Sequence, residues 1–395
     1  MTLRAFCGMN LIDCRADEPI QDAVVLVNDG TIVGSGRRAE VAIPADAEVI
    51  DLSGKTLLPG LIDAHVHCML DATGDPMANL MGESQAMSAL KGARHLRATL
   101  EAGVTYIRDV GGMEHVDIDL RDAVAMGLIT GPTMQVAAHV ITMTGGHGHA
   151  IGREADGVGE VARAAREQMK AGADLIKVIA TGGVMTPGVE PGSAQMSEEE
   201  MAVAVREAHN AGRRVATHAQ GTEGIKNAIR AGVDSVEHGI FLDEEAIEMM
   251  KEDGVYLVPT LVAPYWIVKA GVEQGIPDYA VRKASGVMES HRASFRLAME
   301  SGVKIAMGTD AGTPFNRHGK NAYELKLMVE AGMTPMDALL SATRVGAELL
   351  GVQDQVGTIE EGKRADMIVV EGDPLVDIDV MLDVDQVYLG GERRV

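Results

Sequence analysis

Four helical stretches end in the same Ala-Gly pair just before an apolar run: Ala102-Gly103, Ala171-Gly172, Ala211-Gly212 and Ala231-Gly232. Glycine just past a helix adopts the left-handed conformation that ends it, so each pair marks a helix-to-strand junction. Strand-like runs at 57–63, 104–109, 133–138, 175–179, 214–218, 235–238, 255–260 and 304–310 alternate with amphipathic stretches at 83–102, 159–171, 197–211, 224–231 and 244–252. Such alternation builds a parallel sheet with right-handed crossovers. Eight strands with intervening helices predict a chain of class α/β, a (β/α)8 TIM barrel. A doubly wound open sheet is the competing architecture, but its Gly-rich loop after the first strand is absent.

The two ends of the chain have a different texture. Residues 1–56 read as short strands, with Asn28-Asp29-Gly30 as a hairpin turn. After a last helix opened by Thr334-Pro335 and running to Leu350, strands return at 365–370 and 385–389. The expected organisation is a barrel over 57–356 and a small β-sandwich shared between 1–56 and 357–395.

A net charge of −23 argues against nucleic acid and anionic membrane surfaces as partners. No run approaches the ~18 apolar residues of a membrane span. Three cysteines, Cys7, Cys14 and Cys68, do not make a disulfide framework. Together these features point to a reducing, cytoplasmic setting. The 24 methionines are read as core filling.

Functional groups of a barrel sit at the C-terminal ends of its strands. The first strand ends in Asp63-Ala64-His65-Val66-His67, and residues two apart on a strand face the same side. Later strand ends carry Asp109, His139, His218, His238, Thr260 and Asp310, and the fourth strand carries Lys177. Imidazole and carboxylate at one rim suit zinc or a similar divalent ion, with ligands enough for two. A lysine in a buried strand is costly when charged. Desolvation and metal charge favour its neutral amine, which takes up CO2 as a carbamate able to bridge two metals. The bland alternative is an ion pair between Lys177 and Asp109 or Asp310.

With those residues in view, the chain resembles the amidohydrolase superfamily over nearly its whole length. The likeness rests on the PGLIDAHVH opening, the His218 and His238 strands, the GTDAG segment and the closing VGTIEEGKRADMIVVEGDP. The resemblance implies that His65, His67 and Asp310 hold one metal, that His218 and His238 hold a second, and that carbamylated Lys177 bridges them. RDVGG at 108–112, TGGHGH at 144–149, KVIATGGVMTP at 177–187 and NAYEL at 321–325 are similar to the metal-dependent Xaa-Pro dipeptidase (prolidase) and carboxypeptidase group.

The expected reaction is hydrolysis of the amide bond of a dipeptide or N-acyl amino acid. Two metals ~3.5–4 Å apart share a hydroxide, and Asp310 moves its proton to the leaving nitrogen. His139 is a candidate for binding the substrate carboxylate or orienting the carbonyl. Gln220 and His147 are further candidate substrate contacts. His147 and His149 belong to the Gly-rich TGGHGH loop at 144–149, a candidate lid over the mouth whose bland alternative is a surface loop with solvated histidines. Arg153 is a more distant anion candidate, and Tyr265 with Trp266 a candidate apolar wall. The competing activities are a one-metal deaminase or imidazolonepropionase-like cyclic amide hydrolase, and a lactonase or phosphotriesterase. A non-catalytic scaffold would have lost metal ligands, and none is lost. Assembly as a homo-oligomer stays open at this point.

Overall fold

The structure is a computed structural model that describes residues 3–16 and 18–395. It is an α/β fold with a TIM barrel and a separate sheet made from both chain ends. Two compact units are present. One contains the chain up to Asp63, Ala98–Tyr106 and Gly319–Val395; the other contains Ala64–Arg97 and Ile107–His318.

The sheet from the chain ends has eight strands. Seven follow the order Glu392–Arg393, Val384–Leu389, Met367–Glu371, Lys55–Pro59, Leu3–Leu11, Ile20–Asn28 and Thr31–Arg37. Glu48–Asp51 also pairs with Leu3–Leu11. The hairpin turn falls where the sequence puts it, with Asp29 and Gly30 both at positive φ (46° and 83°). That geometry matches the twist of the flanking strands. Phe6, Leu11, Val25, Ile32, Leu57, Met367, Val369 and Tyr388 form its core.

The expected strand at 57–63 is two strands. Lys55–Pro59 joins the chain-end sheet, antiparallel to Met367–Glu371. Leu61–Val66 is a barrel strand. The break falls at Gly60, where an added Cβ would lie 2.1 Å from the Thr105 hydroxyl oxygen. Only glycine permits that approach.

Leu61–Val66, Val104–Asp109 and Thr133–Val136 pair in that order. Val140–Thr142, Ile176–Ile179, Val215–Ala219, Ser235–His238 and Tyr256–Val258 follow in a parallel sheet, with Gly152–Glu154 beside Val140–Thr142. The Asp174 N–H donates to the Val136 carbonyl at 2.8 Å, joining the third and fourth positions. The eighth position is an extended segment rather than a regular strand. Its backbone bonds run from Ala306 N–H to Leu257 O (3.0 Å) and from Ala64 N–H to Met307 O (2.9 Å), which close the ring.

The Ala-Gly junctions behave as read: Gly103, Gly172, Gly212 and Gly232 have φ of 88°, 112°, 69° and 89°. The last helix differs from its reading. It is split into Pro335–Ser341 and Arg344–Leu350, because the Ala342 carbonyl accepts the Ile62 N–H at 2.6 Å instead of continuing the helix. Cys7, Cys14 and Cys68 are buried free thiols. Among the described residues, no helix is long and apolar enough to cross a membrane.

Candidate active site

The carboxyl ends of the barrel strands bring His65, His67, Lys177, His218, His238 and Asp310 to the wall of one cavity of about 330 Å³. Ligand atoms of His65, His238 and Asp310 lie within 4.8 Å of one another, as a metal site requires. Asp310 Oδ1 is 3.4 Å from both His65 Nε2 and His67 Nε2. Backbone strain gathers here: His238, Thr260 and Asp310 have φ of 73°, 53° and 59°. A β-branched residue such as Thr260 rarely adopts that conformation. Strain of this kind is held in place by the surrounding structure and clusters at functional sites.

Each histidine has one ring nitrogen engaged, which orients the ring. His65 Nδ1 is 2.7 Å from Glu237 Oε2. His67 Nδ1 donates to the Gly111 carbonyl at 2.8 Å. His218 Nε2 donates to the Gly182 carbonyl at 3.1 Å, so Nδ1 is its lone-pair nitrogen when neutral. His238 Nδ1 is 2.7 Å from Thr260 Oγ1. Burial holds His67 below the ordinary imidazole range, and His218 and His238 well below it. Neutral imidazoles with one nitrogen pinned are the form that ligates metal.

Lys177 does not make the ion pair that would explain it away. Its Nζ is buried and has no hydrogen-bond partner. Burial lowers its pKa to about 8, against the pull of Glu237 and Asp310. An amine poised near neutrality and surrounded by metal-ligand types fits a carbamate and a metal pair. Burial pushes the Asp310 carboxyl up, but the His65 hydrogen bond and the charges of His65, His67 and Lys177 outweigh it and leave it lowered. Asp109, the other candidate partner of Lys177, is occupied elsewhere. Its oxygens accept the Cys68 N–H (2.7 Å) and the Gly111 N–H (3.0 Å).

Other sequence candidates divide. Gln220 lines the cavity with its Oε1 buried and without a partner. His147 and His149 also line it. The His147 ring packs 4.1 Å from that of His218, its Nδ1 meets Thr186 Oγ1 at 2.8 Å, and burial lowers its pKa to about 4.

His139 is not brought to the cavity. The third strand stops at Val136, and Ala138 at φ 60° turns the chain, so the His139 ring meets His115 and its Nε2 accepts the Glu114 N–H at 3.0 Å. Arg153 is paired with Glu167 at 3.0 Å and lies outside the cavity lining. Helix Val262–Ala270 shows Ala263, Pro264 and Ile267 to the cavity, not Tyr265 and Trp266. Residues three and four apart share a helix face, and 263 with 267 is such a pair.

Sequence reading missed two groups. Glu237 is fully buried beneath His65 and binds Arg108 at 2.8 Å and Ser235 Oγ at 2.5 Å. Burial alone would raise its pKa, but the charges of Arg108 and Lys177 and the hydrogen bond to His65 keep the carboxylate ionised. His291 reaches the cavity from the middle of helix Asp278–Glu300, a position no strand-end rule would select. For Glu237, the available signal was its place directly before His238 in a strand that is buried throughout.

The Amidohydrolase family model matches residues 56–394. Ochratoxinase of Aspergillus niger is 33% identical over 414 residues, covering 95% of this chain and 83% of that protein. A solved Xaa-Pro dipeptidase with bound methionine in its active site is 36% identical, covers 99% of both chains and superposes with a TM-score of 0.91. A prolidase complexed with N-methylphosphonate-L-proline is 33% identical, covers 99% of both chains and has a TM-score of 0.92. With the family match spanning all the strand-end histidines, the chain belongs to the amidohydrolase family and is a hydrolase of amide C–N bonds.

Proposed function

We propose that this chain hydrolyses the amide bond of a dipeptide of Xaa-Pro type or of an N-acyl amino acid, with two divalent metal ions, zinc by preference. The observation that carries the reading is Lys177: a buried amine with no partner, set among four histidines and an aspartate. His65 and His67 through Nε2, with Asp310, would hold one ion. His218 through Nδ1 and His238 through Nε2 would hold the other. Lys177 would bridge them after its neutral amine adds to CO2, forming an N–C bond and losing one proton to solvent. The ions supply Lewis acidity to the scissile carbonyl and lower the pKa of the attacking water.

The chain's own residues do the rest. Asp310, an ionised carboxylate beside both histidines of the first strand, accepts the water proton and returns it to the leaving nitrogen. Gln220 Oε1 accepts a substrate N–H, which satisfies an acceptor otherwise buried without a donor. His147, neutral at physiological pH, borders the same space. Met77, Met185, Ile240, Pro264 and Ile267 make much of the wall apolar. That surface excludes water and favours a substrate with an apolar side chain.

The compactness of the His65, His238 and Asp310 group favours a second reading, with one metal per chain. One measurement separates the two. Protein loaded with zinc and bicarbonate is assayed for metal per chain and offered Xaa-Pro dipeptides and N-acyl amino acids. The proposal expects two metals and release of the C-terminal amino acid. One metal per chain would replace it with the single-metal reading.

A further inference from the structure

Helix Asp278–Glu300 carries Tyr279, Lys283, Val287 and His291 at four-residue spacing, one row along its surface. Three of the four end in backbone carbonyls. The Tyr279 hydroxyl donates to Met185 O at 3.0 Å. Lys283 Nζ donates to Gly183 O (3.4 Å), to Thr186 O (2.8 Å) and to Val189 O. His291 Nε2 donates to His238 O (3.0 Å) and Pro259 O (2.7 Å). Val287, the fourth, packs in an apolar cluster with Val184, Ile240 and Ile267.

Lys283 is the unusual member. It is 7% exposed and meets three carbonyls, matching the three donors of an ammonium. Those carbonyls belong to the irregular segment after the Ile176–Ile179 strand, where no strand or helix ladder pairs them. Buried carbonyls need donors, and here one side chain supplies three. Four consecutive residues of that segment, 184 to 187, line the cavity. Its Gly182 carbonyl orients His218, and Thr186 Oγ1 holds His147. An added Cβ at Gly183 would lie 2.5 Å from the His147 ring, so the segment has no slack towards the cavity.

We propose that Lys283 is a positioning residue that fixes the 184–187 wall of the cavity and so sets which substrate side chains the site accepts. This rests on the proposed hydrolysis only for its catalytic readout; the wall itself is read without substrate.

The test compares wild type, Lys283→Met and Lys283→Arg, each loaded with zinc. Met keeps the aliphatic length and removes all three donors, while Arg keeps donors. Hydrogen–deuterium exchange should quicken about tenfold or more over 181–193 in Lys283→Met, with the 215–219 strand unchanged. The ratio of kcat/KM for Leu-Pro over Gly-Pro should fall about tenfold, mainly through KM, the scale of a poorly fitted apolar contact. Metal content should hold, and Lys283→Arg should recover both readouts in part. Unchanged exchange over 181–193 in Lys283→Met would overturn the proposal, as would an unchanged Leu-Pro to Gly-Pro ratio. If Lys283→Met does not fold, Lys283→Gln, whose shorter amide cannot supply all three carbonyls, takes its place: faster exchange over 181–193 than in wild type supports the proposal, and equal rates refute it. If wild type cleaves neither dipeptide, the proposed substrate fails and the exchange data alone decide for or against Lys283.

Discussion

The chain-end sheet and the carboxyl rim of the barrel are built on opposite terms. In the sheet, most buried positions are apolar, the buried polar Thr56 and Gln386 are hydrogen-bonded, and the charged groups near them are paired. Lys55 lies 2.6 Å from Asp385, and Arg4 lies 3.1 Å from both Glu48 and Glu392. At the rim, histidines, a lysine and carboxylates are buried together. Two of the atoms lining the rim cavity, Lys177 Nζ and Gln220 Oε1, are buried without a hydrogen-bond partner. Leaving a polar atom buried and unpaired costs ~1–3 kcal/mol, so a fold retains such atoms where a ligand repays them. The sheet stabilises; the rim gives up stability to hold chemistry.

The sharpest way to break that contrast is Lys177→Ala. It should lower kcat by about 10³-fold, the scale of losing one preorganised charged group. In metal-free protein it should leave thermal stability level or higher, since an unpaired buried amine is gone. Short carboxylic acids should restore part of the activity and of the metal content. Full activity without rescue would remove the bridging role, and a large loss of stability would mean that Lys177 is a structural group.

Leu57→Ala tests the other side. Leu57 is fully buried in the sheet core, and a cavity there should cost about 2–5 kcal/mol. Urea unfolding measures that loss, while kcat per folded molecule should stay at the wild-type value. A fall in kcat at saturating metal, with the fold intact, would show that the two regions are not independent in this way.

The same contrast governs how much could be read from the sequence. Local signals sufficed for the barrel: the Ala-Gly caps and the apolar runs each depend on a few adjacent residues. Spacing also sufficed for the strand-end histidines, because alternation fixes which side His65 and His67 face. The Val136–His139 end was misjudged because a left-handed residue, Ala138, redirects the chain after the last strand position. Partnerships across the fold left no local trace. Arg108 and Glu237 are 129 residues apart, and Lys283 meets carbonyls 94 to 100 residues earlier. Nothing in the spacing of a helix marks one lysine as solvating a distant loop. Glu237 reads as one more polar residue until its buried carboxylate is seen beneath His65.

The smallest expected effect concerns protonation, and it asks whether the rim also weakens the fold in acid. His291 is 2% exposed, and burial lowers its pKa to about 4 from an ordinary 6.5, against the hydrogen bonds to Pro259 and His238. Below pH ~6.5 the unfolded chain takes up this proton while the folded chain does not, until pH falls to about 4. The unfolded state then binds more protons, so stability falls as pH falls through that window, by about 1.4 kcal/mol per unit once the unfolded imidazole is fully charged. Gln in place of His291 has no such proton, and its amide N–H can still reach both carbonyls. The expected result is that urea stability curves for wild type and His291→Gln run parallel above pH 7. Below pH 6.5 they shift relative to each other in favour of the variant, by about that slope. Curves that stay parallel down to pH 4.5 would mean that His291 titrates alike in both states, and that burial does not hold it neutral against the carbonyl row.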